Sequence, residues 1–328
     1  MTAPDFSIRV NNELSPRRFA DMAEVAETAG FDQIWMSNDL LIHSALAALP
    51  IAAMATSRIG LGIGVLNPYT IHPAEMAMFF ASLGEVAAGR LMIGLGAGAA
   101  DFLGWVGVER ARPLRAVEAA VGQLRHLLEA SVPIPSGWDP AAPALPVPGR
   151  VPVYLGAMSP KMLRLAGRVA DGALPLLFPP ERYAEARALV VAGARAAGRA
   201  DGDLDIAACV WCSVSHDQDE AEAALAAKIA YYGPSFSAEV LRGLGLDADD
   251  LRPARESVIS GRREDVRRLI PSAAMKLGMA GRPEAIVDRC RALIESGASH
   301  VSFGPPLGPD PRTAIHLIGE RVVPELRR

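Results

Sequence analysis

The chain has 328 residues and a formal net charge of −4, with 50% hydrophobic and 21% charged residues. This composition allows a large core and lacks the basic excess of a nucleic-acid-binding protein. The polar first residues and the lack of a long apolar run favour a cytoplasmic protein whose partner is a small molecule, with no membrane contact.

Cysteine and histidine residues do not predict a metal site. The three cysteines are too few for a disulfide framework, and Cys209 and Cys212 lie in a strand-like run, where a spacing of three places side chains on opposite faces. We therefore expect core cysteines. No two histidines have ligand spacing on one element, and we expect His72, just before Pro73, to cap a helix or shape a turn.

Strand-like and helix-like runs alternate from the first residues onward. Phe6–Val10 predicts a strand, and the next helix begins at Ser15–Pro16, an N-cap followed by the proline of a first turn, and ends at Gly30. The next three strands, each followed by a helix-like run, are predicted at Gln33–Met36, Ile59–Val65 and Leu91–Gly98.

The same alternation continues through the second half of the chain. A proline-rich stretch at 131–152 indicates an exposed excursion, because the rhythm resumes directly after it. Four further strands are predicted at 151–157, 172–178, 205–215 and 299–306, with a long mixed helical stretch at 217–277.

Eight strand–helix units in one continuous series predict a single α/β domain over 1–328. The expected fold is a (β/α)₈ TIM barrel with insertions around 131–151 and 217–277. The spacing alone leaves a doubly wound open sheet as the alternative.

Glycines alternate with large apolar residues in the third and fourth strands. We expect the large residues, including Val65, to face the outer helices, so that the glycines face the barrel interior. Since a barrel interior is normally filled by bulky side chains, the pattern predicts a flat-walled void for a planar ligand near the carboxyl ends of these strands. The alternative is that the glycines only relieve crowding or permit bulges. They are Gly60, Gly62, Gly64, Gly94, Gly96 and Gly98.

The segment Gly94–Ala99 also matches the loose G-x-G-x-x-A dinucleotide fingerprint. Its glycines begin inside the predicted strand, however, and further glycines and a proline precede the next helix. Because the fingerprint belongs on a tight strand-to-helix turn, we do not favour a nicotinamide site here.

Five segments follow one another along the chain: GFDQIWMSNDL, RIGLGIGVLNPYTIHPAEMA, AAGRLMIGLGAGAADFLGWVG, VPVYLGAMSPKMLRLAGRVADG and SHVSFGPPLGPD. Together they resemble the bacterial luciferase-like monooxygenase superfamily, and within it the coenzyme F420 branch that contains methylenetetrahydromethanopterin reductase. The resemblance is weakest over 217–277. It implies a TIM barrel, commonly a homodimer, that holds coenzyme F420, or FMN as the alternative, at the carboxyl ends of its strands.

The resemblance also implies which residues contact the cofactor. A non-prolyl cis peptide at Gly64–Val65 would bulge against the tricyclic ring, with Asn67 near by. The phosphate of the cofactor tail would rest on Gly156–Met162, where a strand ends and a helix opens at Ser159–Pro160. Free backbone N–H groups and the helix dipole favour an anion there, although an ordinary capped helix would have the same sequence. The implied contacts are Asn38, Asp39, Gly64, Val65, Asn67, Gly96, Gly98, Gly156, Ala157, Met158, Ser159 and Pro160.

Four further residues are candidates for substrate binding and catalysis. Arg9 alternates with the apolar face of the first strand, so we expect it inside the barrel, where it binds a substrate carboxylate or pairs with Asp39 or Asp101. Trp105 is expected to cover the mouth or to anchor a loop. The candidate proton donors are Asp39 and Asp101.

The expected function is hydride transfer between coenzyme F420 and a small organic substrate. At the positions that match the acids of methanopterin reductases this chain has Ala99 and Arg9, so we do not expect methylenetetrahydromethanopterin to be the substrate. Two alternatives stay open: an FMN-dependent luciferase-like monooxygenase, and a barrel that binds a flavin or deazaflavin without turnover.

Overall fold

The computed structural model describes residues 3–129, 137–139, 145, 149–176, 178–233, 236–262 and 265–328. The predicted insertion at 131–151 therefore lies largely outside the described residues.

Parallel strands form the centre of the molecule. In the described ranges they are β1 (Asp5–Val10), β2 (Gln33–Met36), β3 (Gly60–Leu66), β4 (Leu91–Leu95), β5 (Val153–Ala157), β6 (Gly172–Pro175), β7 (Asp205–Val214), β8 (Met279–Gly281) and β9 (His300–Leu307). They pair in the order β6-β5-β4-β3-β2-β1-β9-β7, and β6 also pairs with β7, which closes an eight-stranded barrel. The predicted (β/α)₈ barrel is confirmed, and the open sheet is wrong.

The short strand β8 was not predicted. It pairs in parallel with the last residues of β7, Cys212–Val214, and so extends the sheet beyond the eight barrel strands.

Helices surround the barrel and fill the insertion: α1 (Pro16–Thr28), α2 (Ala45–Ala55), α3 (Pro73–Ala87), α4 (Ala100–Trp105), α5 (Pro113–Leu128), α6 (Pro160–Val169), α7 (Tyr183–Ala196), α8 (Gln218–Tyr232), α9 (Ala238–Gly243), α10 (Arg252–Ile259), α11 (Val266–Leu269), α12 (Pro283–Glu295), α13 (Pro311–Arg321) and α14 (Val323–Leu326). Ser15 caps α1, as predicted, and His72 caps α3 by accepting a hydrogen bond from the Ala74 N–H at 3.1 Å. The predicted capping role of His72 is confirmed.

Most buried apolar side chains lie between the barrel and its ring of helices. Strand alternation sends Leu61 and Ile63 of β3 and Ile93 of β4 into this layer, where they are fully buried. Cys212 lies in the same layer, whereas Cys209 faces the barrel interior, so the predicted separation of the two thiols is confirmed.

The 217–277 insertion has an apolar core of its own. Leu225 and Ile229 of α8, Leu251 and Val266 are fully buried in it. Since α8 also contacts β7 and β9, the insertion places one face of that helix beside the barrel. No helix in the described ranges is both long enough and apolar enough to cross a lipid bilayer.

Candidate active site

Protein side chains fill the glycine-lined part of the barrel interior. An interior cluster formed by Trp35, Met92, Tyr154, Leu174, Ala207 and Cys209 occupies it. A Cβ added at Gly62 would lie 2.3 Å from the Trp35 ring, and one at Gly60 would lie 3.0 Å from Met92 Cε. The prediction of a void beside these two glycines is therefore wrong. The Trp35 indole lies against Gly62, and the Met92 side chain lies against Gly60.

Gly94 serves a different purpose from the one predicted. A Cβ at this position would lie 2.3 Å from the carbonyl oxygen of Ile63, so glycine allows β3 and β4 to approach closely. Here the alternative interpretation, relief of crowding between strands, is confirmed.

The carboxyl end of β3 changes course. The Gly64–Val65 peptide bond is cis, at the position that the resemblance implies. The pairing with β4 shifts register between Ile63 and Leu66. Val65 then packs against the interior cluster, so its predicted outward orientation is wrong.

Val65 and three glycines form an apolar floor at the mouth of the barrel. A Cβ added at Gly96 would lie 2.7 Å from Val65 Cγ2, and one at Gly156 would lie 2.8 Å from Val65 Cγ1. A Cβ at Gly64 would meet only Trp35 and Leu174, at the ordinary contact distances of 3.5 and 3.6 Å. We call Gly64, Val65, Gly96 and Gly156 the Val65 floor; it presents backbone and one branched side chain, which suits a flat ligand.

Asn67 organises the loop after β3. Its side-chain oxygen accepts hydrogen bonds from the backbone N–H groups of Tyr69 and Thr70, each at 3.1 Å, and the residue is 5% exposed. Gly98 has a φ of 68° and packs against Asn67, so the two predicted cofactor residues lie together at one edge of the Val65 floor.

The end of β5 leads directly into α6. Gly156 and Ala157 close the strand, Met158 is exposed, and the hydroxyl of Ser159 accepts a hydrogen bond from the Met162 N–H at 3.4 Å. Pro160 begins a helix of ten residues. This arrangement places an exposed helix N-terminus next to the Val65 floor, where the positive end of the helix dipole attracts anions.

The loop after β2 contains the polar pair Asn38 and Asp39. The Asn38 side-chain oxygen accepts from the Ala45 N–H at 3.0 Å and thereby holds the start of α2. The Asp39 carboxylate accepts from the Ser37 hydroxyl at 3.2 Å. Asp39 is exposed at the mouth, yet the surrounding protein removes enough water from its carboxylate to raise its pKa above the usual value.

Arg9 points into the barrel, as predicted, but its partners are neutral. Its Nε donates to Ser302 Oγ at 3.1 Å, and its Nη2 donates to the carbonyl oxygens of Val210 at 3.0 Å and Ser302 at 3.3 Å. The expected pairing with Asp39 or Asp101 is wrong: among the described residues, the hydrogen-bond partners of the guanidinium are the neutral oxygens of Ser302 and Val210.

A chain of buried hydrogen bonds runs from the amino end of the barrel towards Arg9. Ser7 Oγ donates to Ser302 Oγ at 2.7 Å and lies 2.7 Å from His300 Nε2. The other ring nitrogen of His300 lies 2.8 Å from an Asp205 carboxylate oxygen. Burial alone would lower the pKa of His300, but the Asp205 carboxylate raises it above its ordinary value. This network was not predicted from the sequence, since its members come from three distant segments.

The insertion contributes Lys228 to the barrel mouth, which sequence analysis also missed. Its ammonium lies 3.8 Å from the centre of the Tyr232 ring and 5.5 Å from that of Trp211. Desolvation is the main cause that lowers the pKa of Lys228 to about 8. The charge of Arg9 also lowers this pKa, whereas the charges of Glu13 and Asp39 raise it. The only local signal was a lysine in an otherwise apolar helical run.

The remaining predicted residues lie on α4. Asp101 is exposed on this helix. Trp105 is 61% exposed and stacks on Phe102, with ring centres 4.5 Å apart. The two residues follow β4, and Asp101 is therefore separated in the barrel order from Asp39, which follows β2.

A second polar region lies at the opposite end of the barrel. A cavity of about 520 Å³ is lined there by Arg125, Arg150, Asp171 and Arg199, among others. Asp171 bonds to both Arg125 and Arg150, and Arg199 donates to two backbone carbonyl oxygens. Since Arg150 lies three residues before β5 and Asp171 directly precedes β6, this ion-pair cluster lies at the amino ends of the strands, away from the mouth.

The fold is a TIM barrel, and the Val65 floor is a candidate ligand site at the carboxyl ends of its strands. Residues 2–300 match the family described as luciferase-like monooxygenase. The chain belongs to this family.

Several relatives resemble the chain over nearly its whole length. It is 30% identical to the 5,10-methylenetetrahydromethanopterin reductase of Archaeoglobus fulgidus over 93% of this chain and 94% of that protein. It is 27% identical to the F420-dependent glucose-6-phosphate dehydrogenase of Microbacterium testaceum, over 100% and 99% of the two chains. The solved structure of the coenzyme F420-dependent tetrahydromethanopterin reductase from Methanopyrus kandleri superposes with a TM-score of 0.89 at 28% identity, covering 99% of this chain and 100% of that one.

Proposed function

We propose that the protein is a coenzyme F420-dependent oxidoreductase that transfers a hydride between the cofactor and a small organic substrate. The observation that carries this proposal is the Val65 floor, which adjoins the exposed start of α6. Two relatives support it: the dehydrogenase of Microbacterium testaceum and the reductase from Methanopyrus kandleri are both named as F420-dependent enzymes.

The residues present fit this cofactor. The bare walls at Gly96 and Gly156 leave Val65 as the surface for a flat tricyclic ring, with Gly98 and Asn67 at its edge and Asn38 and Asp39 across the mouth. The segment from Met158 to Pro160 would hold the phosphate of the tail through backbone N–H groups at the start of α6. When bound, the deazaflavin accepts or donates the hydride, while the barrel supplies orientation and a dry surface.

Asp39 is our choice for the group that holds a proton at the mouth. Its raised pKa keeps the carboxyl partly protonated closer to neutral pH than an ordinary aspartate. Asp101, exposed on α4, is the weaker candidate. Trp105, on the same helix, is proposed to cover the mouth when substrate is present.

We propose a substrate other than methylenetetrahydromethanopterin. Arg9 occupies one of the positions that match reductase acids, and its guanidinium lies inside the barrel. At the second position Ala99 directly precedes α4 and offers no carboxylate.

An FMN-dependent monooxygenase is the second candidate, favoured by the description of the matched family. Titration of the purified protein with F420 and, separately, with FMN distinguishes the two, with absorbance and protein fluorescence as readouts. We expect F420 to bind at least about tenfold more tightly than FMN, a difference of about 1.4 kcal/mol. Tighter binding of FMN would favour the monooxygenase. Binding of F420 without reaction towards a panel of alcohols, imines and pterins would favour a non-catalytic binding barrel.

We further propose that the protein is a homodimer. Apolar side chains on α2 and α3 are exposed in the single chain, and we call them the α2–α3 apolar surface: Ile51, Met54, Met78 and Val86. An exposed apolar surface of this kind favours contact with a second protein surface.

A further inference from the structure

Two cations face the barrel mouth from different elements, Arg9 from β1 and Lys228 from α8. In the part of the chain that the structure describes, neither forms an ion pair: Arg9 bonds to a hydroxyl and two carbonyl oxygens, and Lys228 lies on aromatic rings. Charge repulsion between them contributes to the lowered pKa of Lys228, after the larger effect of desolvation.

The guanidinium of Arg9 is fixed with one edge free. Glycine at position 304 lets it lie against the backbone of β9, since a Cβ there would come within 2.5 Å of Nη2. Ser302 and Val210 use Nε and Nη2, whereas Nη1 has no hydrogen-bond partner among the described residues. The hydrogen-bonded chain of Asp205, His300 and Ser7 ends at the Ser302 hydroxyl, which in turn bonds to Arg9. This chain therefore fixes the position of the Arg9 guanidinium and of its unpaired Nη1.

The ammonium of Lys228 lies over the rings of Trp211 and Tyr232, and the side chain is partly buried. A cation in this state is stabilised by an anion more strongly than a solvated lysine is. Both cations lie on the β1, β9 and β7 side of the barrel, while the Val65 floor lies at the ends of β3, β4 and β5. An anion between them would therefore sit across the mouth from the proposed cofactor.

We propose that Arg9 and Lys228 bind a carboxylate group of the substrate. This assignment rests on the proposed function, because it names a group on the molecule that exchanges the hydride. A singly charged carboxylate fits better than a phosphate, since Glu13 and Asp39 bring negative charge to the same region, which a doubly charged anion would meet.

The test measures binding of 4,4,4-trifluorobutyrate to the full chain without cofactor, by ¹⁹F NMR at low salt and pH 7. We expect the uncharged analogue 4,4,4-trifluorobutyramide to bind at least about tenfold more weakly. Lys228→Met and Arg9→Met should each weaken butyrate binding about tenfold or more, which is typical of the loss of a charged hydrogen bond. Lys276→Met, which removes an exposed lysine from the same insertion, should change it less than about twofold.

A pH series checks the contribution of Lys228 and guards against misfolded variants. Between pH 7 and 9.5 the affinity of the wild type should fall as Lys228 loses its proton, whereas Lys228→Arg should bind equally well at both values. The charged groups that act on Lys228 are Glu13, Asp39 and Arg9. The pKa of Tyr232, whose ring lies under the ammonium, is raised to about 12, above this pH range.

Several outcomes would overturn the carboxylate assignment: no binding of the butyrate by the wild type, equal binding of the amide, unchanged affinity in Lys228→Met, or tighter binding of inorganic phosphate. Because the titration needs no cofactor, its failure is distinct from a failure of the protein to bind F420.

Discussion

At the scale of single residues, neighbours that are remote in sequence decide what each residue does. Alternation correctly placed Gly62 on the inner face of β3, yet the space beside it holds the Trp35 ring of the neighbouring strand β2. The sequence shows that a glycine leaves room, but it does not show which side chain takes that room. The same limit hid His300 and Lys228, whose partners come from other elements.

Replacement of Gly62 by alanine tests the packing of Trp35. The new Cβ would overlap a fully buried indole that also packs edge-on against Tyr154, so we expect a loss of about 1–3 kcal/mol in the free energy of unfolding. The control is Gly122→Ala in α5, where nothing lies within 4 Å and helix propensity favours a small gain. Urea unfolding of both variants measures the contrast; a harmless Gly62→Ala would contradict the packing.

Replacement of Asp39 is expected to lower kcat, whereas replacement of Asp101 is not. Asp39→Asn cannot hold the proposed proton, so kcat should fall about 10²-fold or more, with F420 affinity changed less than about threefold. Asp101→Asn should retain activity within about threefold. Steady-state kinetics with the first reactive substrate from the panel provides the readout, and the reverse ranking would transfer the role to Asp101.

The raised pKa of His300 predicts how the free energy of unfolding changes with pH. Its pKa is raised in the folded protein, so the stabilisation is complete below the unfolded value of about 6.5 and is lost as pH rises through the folded value. Relative to His300→Gln, the wild type should lose up to about 1.4 kcal/mol per pH unit above pH 6.5. Urea unfolding from pH 6 to 9 checks this slope; parallel curves for the two proteins would exclude the charged His300–Asp205 pair.

At the scale of elements, a capping residue predicted the start of α1, and the alternation of strand-like and helix-like runs predicted where the eight barrel strands lie in the chain. The change of face at Val65 and the position of α8 were beyond such patterns. The first depends on a local register shift between β3 and β4, and the second on how an insertion with its own apolar core packs against β7.

The Val65 floor predicts that strand β5 tolerates no side chain at Gly156. In Gly156→Val the new methyl groups would meet Val65 Cγ1, where even a Cβ comes within 2.8 Å. We expect F420 affinity to fall about tenfold or more, because Val65 or the ring must move. Gly104→Val on the exposed part of α4 adds the same volume into open space and serves as the control. Equal F420 affinity in the two variants would contradict the floor.

At the scale of the whole molecule, the fold was predictable because eight repeated units share one physical pattern, apolar strand followed by amphipathic helix. The association of two molecules was not, since an apolar helix face is expected both in a core and at an interface. In the structure the α2–α3 apolar surface is exposed, and the exposed fraction of Met54 is 75%.

Sedimentation equilibrium should therefore give about twice the chain mass of 34.6 kDa. The double variant Met54→Glu, Met78→Glu should sediment as a monomer, because it places charges in the proposed interface. Ile259→Glu, at a residue 64% exposed on α10, is the matched control and should stay dimeric. A monomeric wild type, or a dimeric double variant, would rule out this interface.

A crystal structure of the protein with bound F420 tests most directly whether the cofactor ring lies on the Val65 floor. We expect the deazaflavin ring to lie against Val65 between Gly96 and Gly156, and the phosphate to lie at the start of α6. A ring located elsewhere, or a phosphate remote from Ser159, would contradict this expectation.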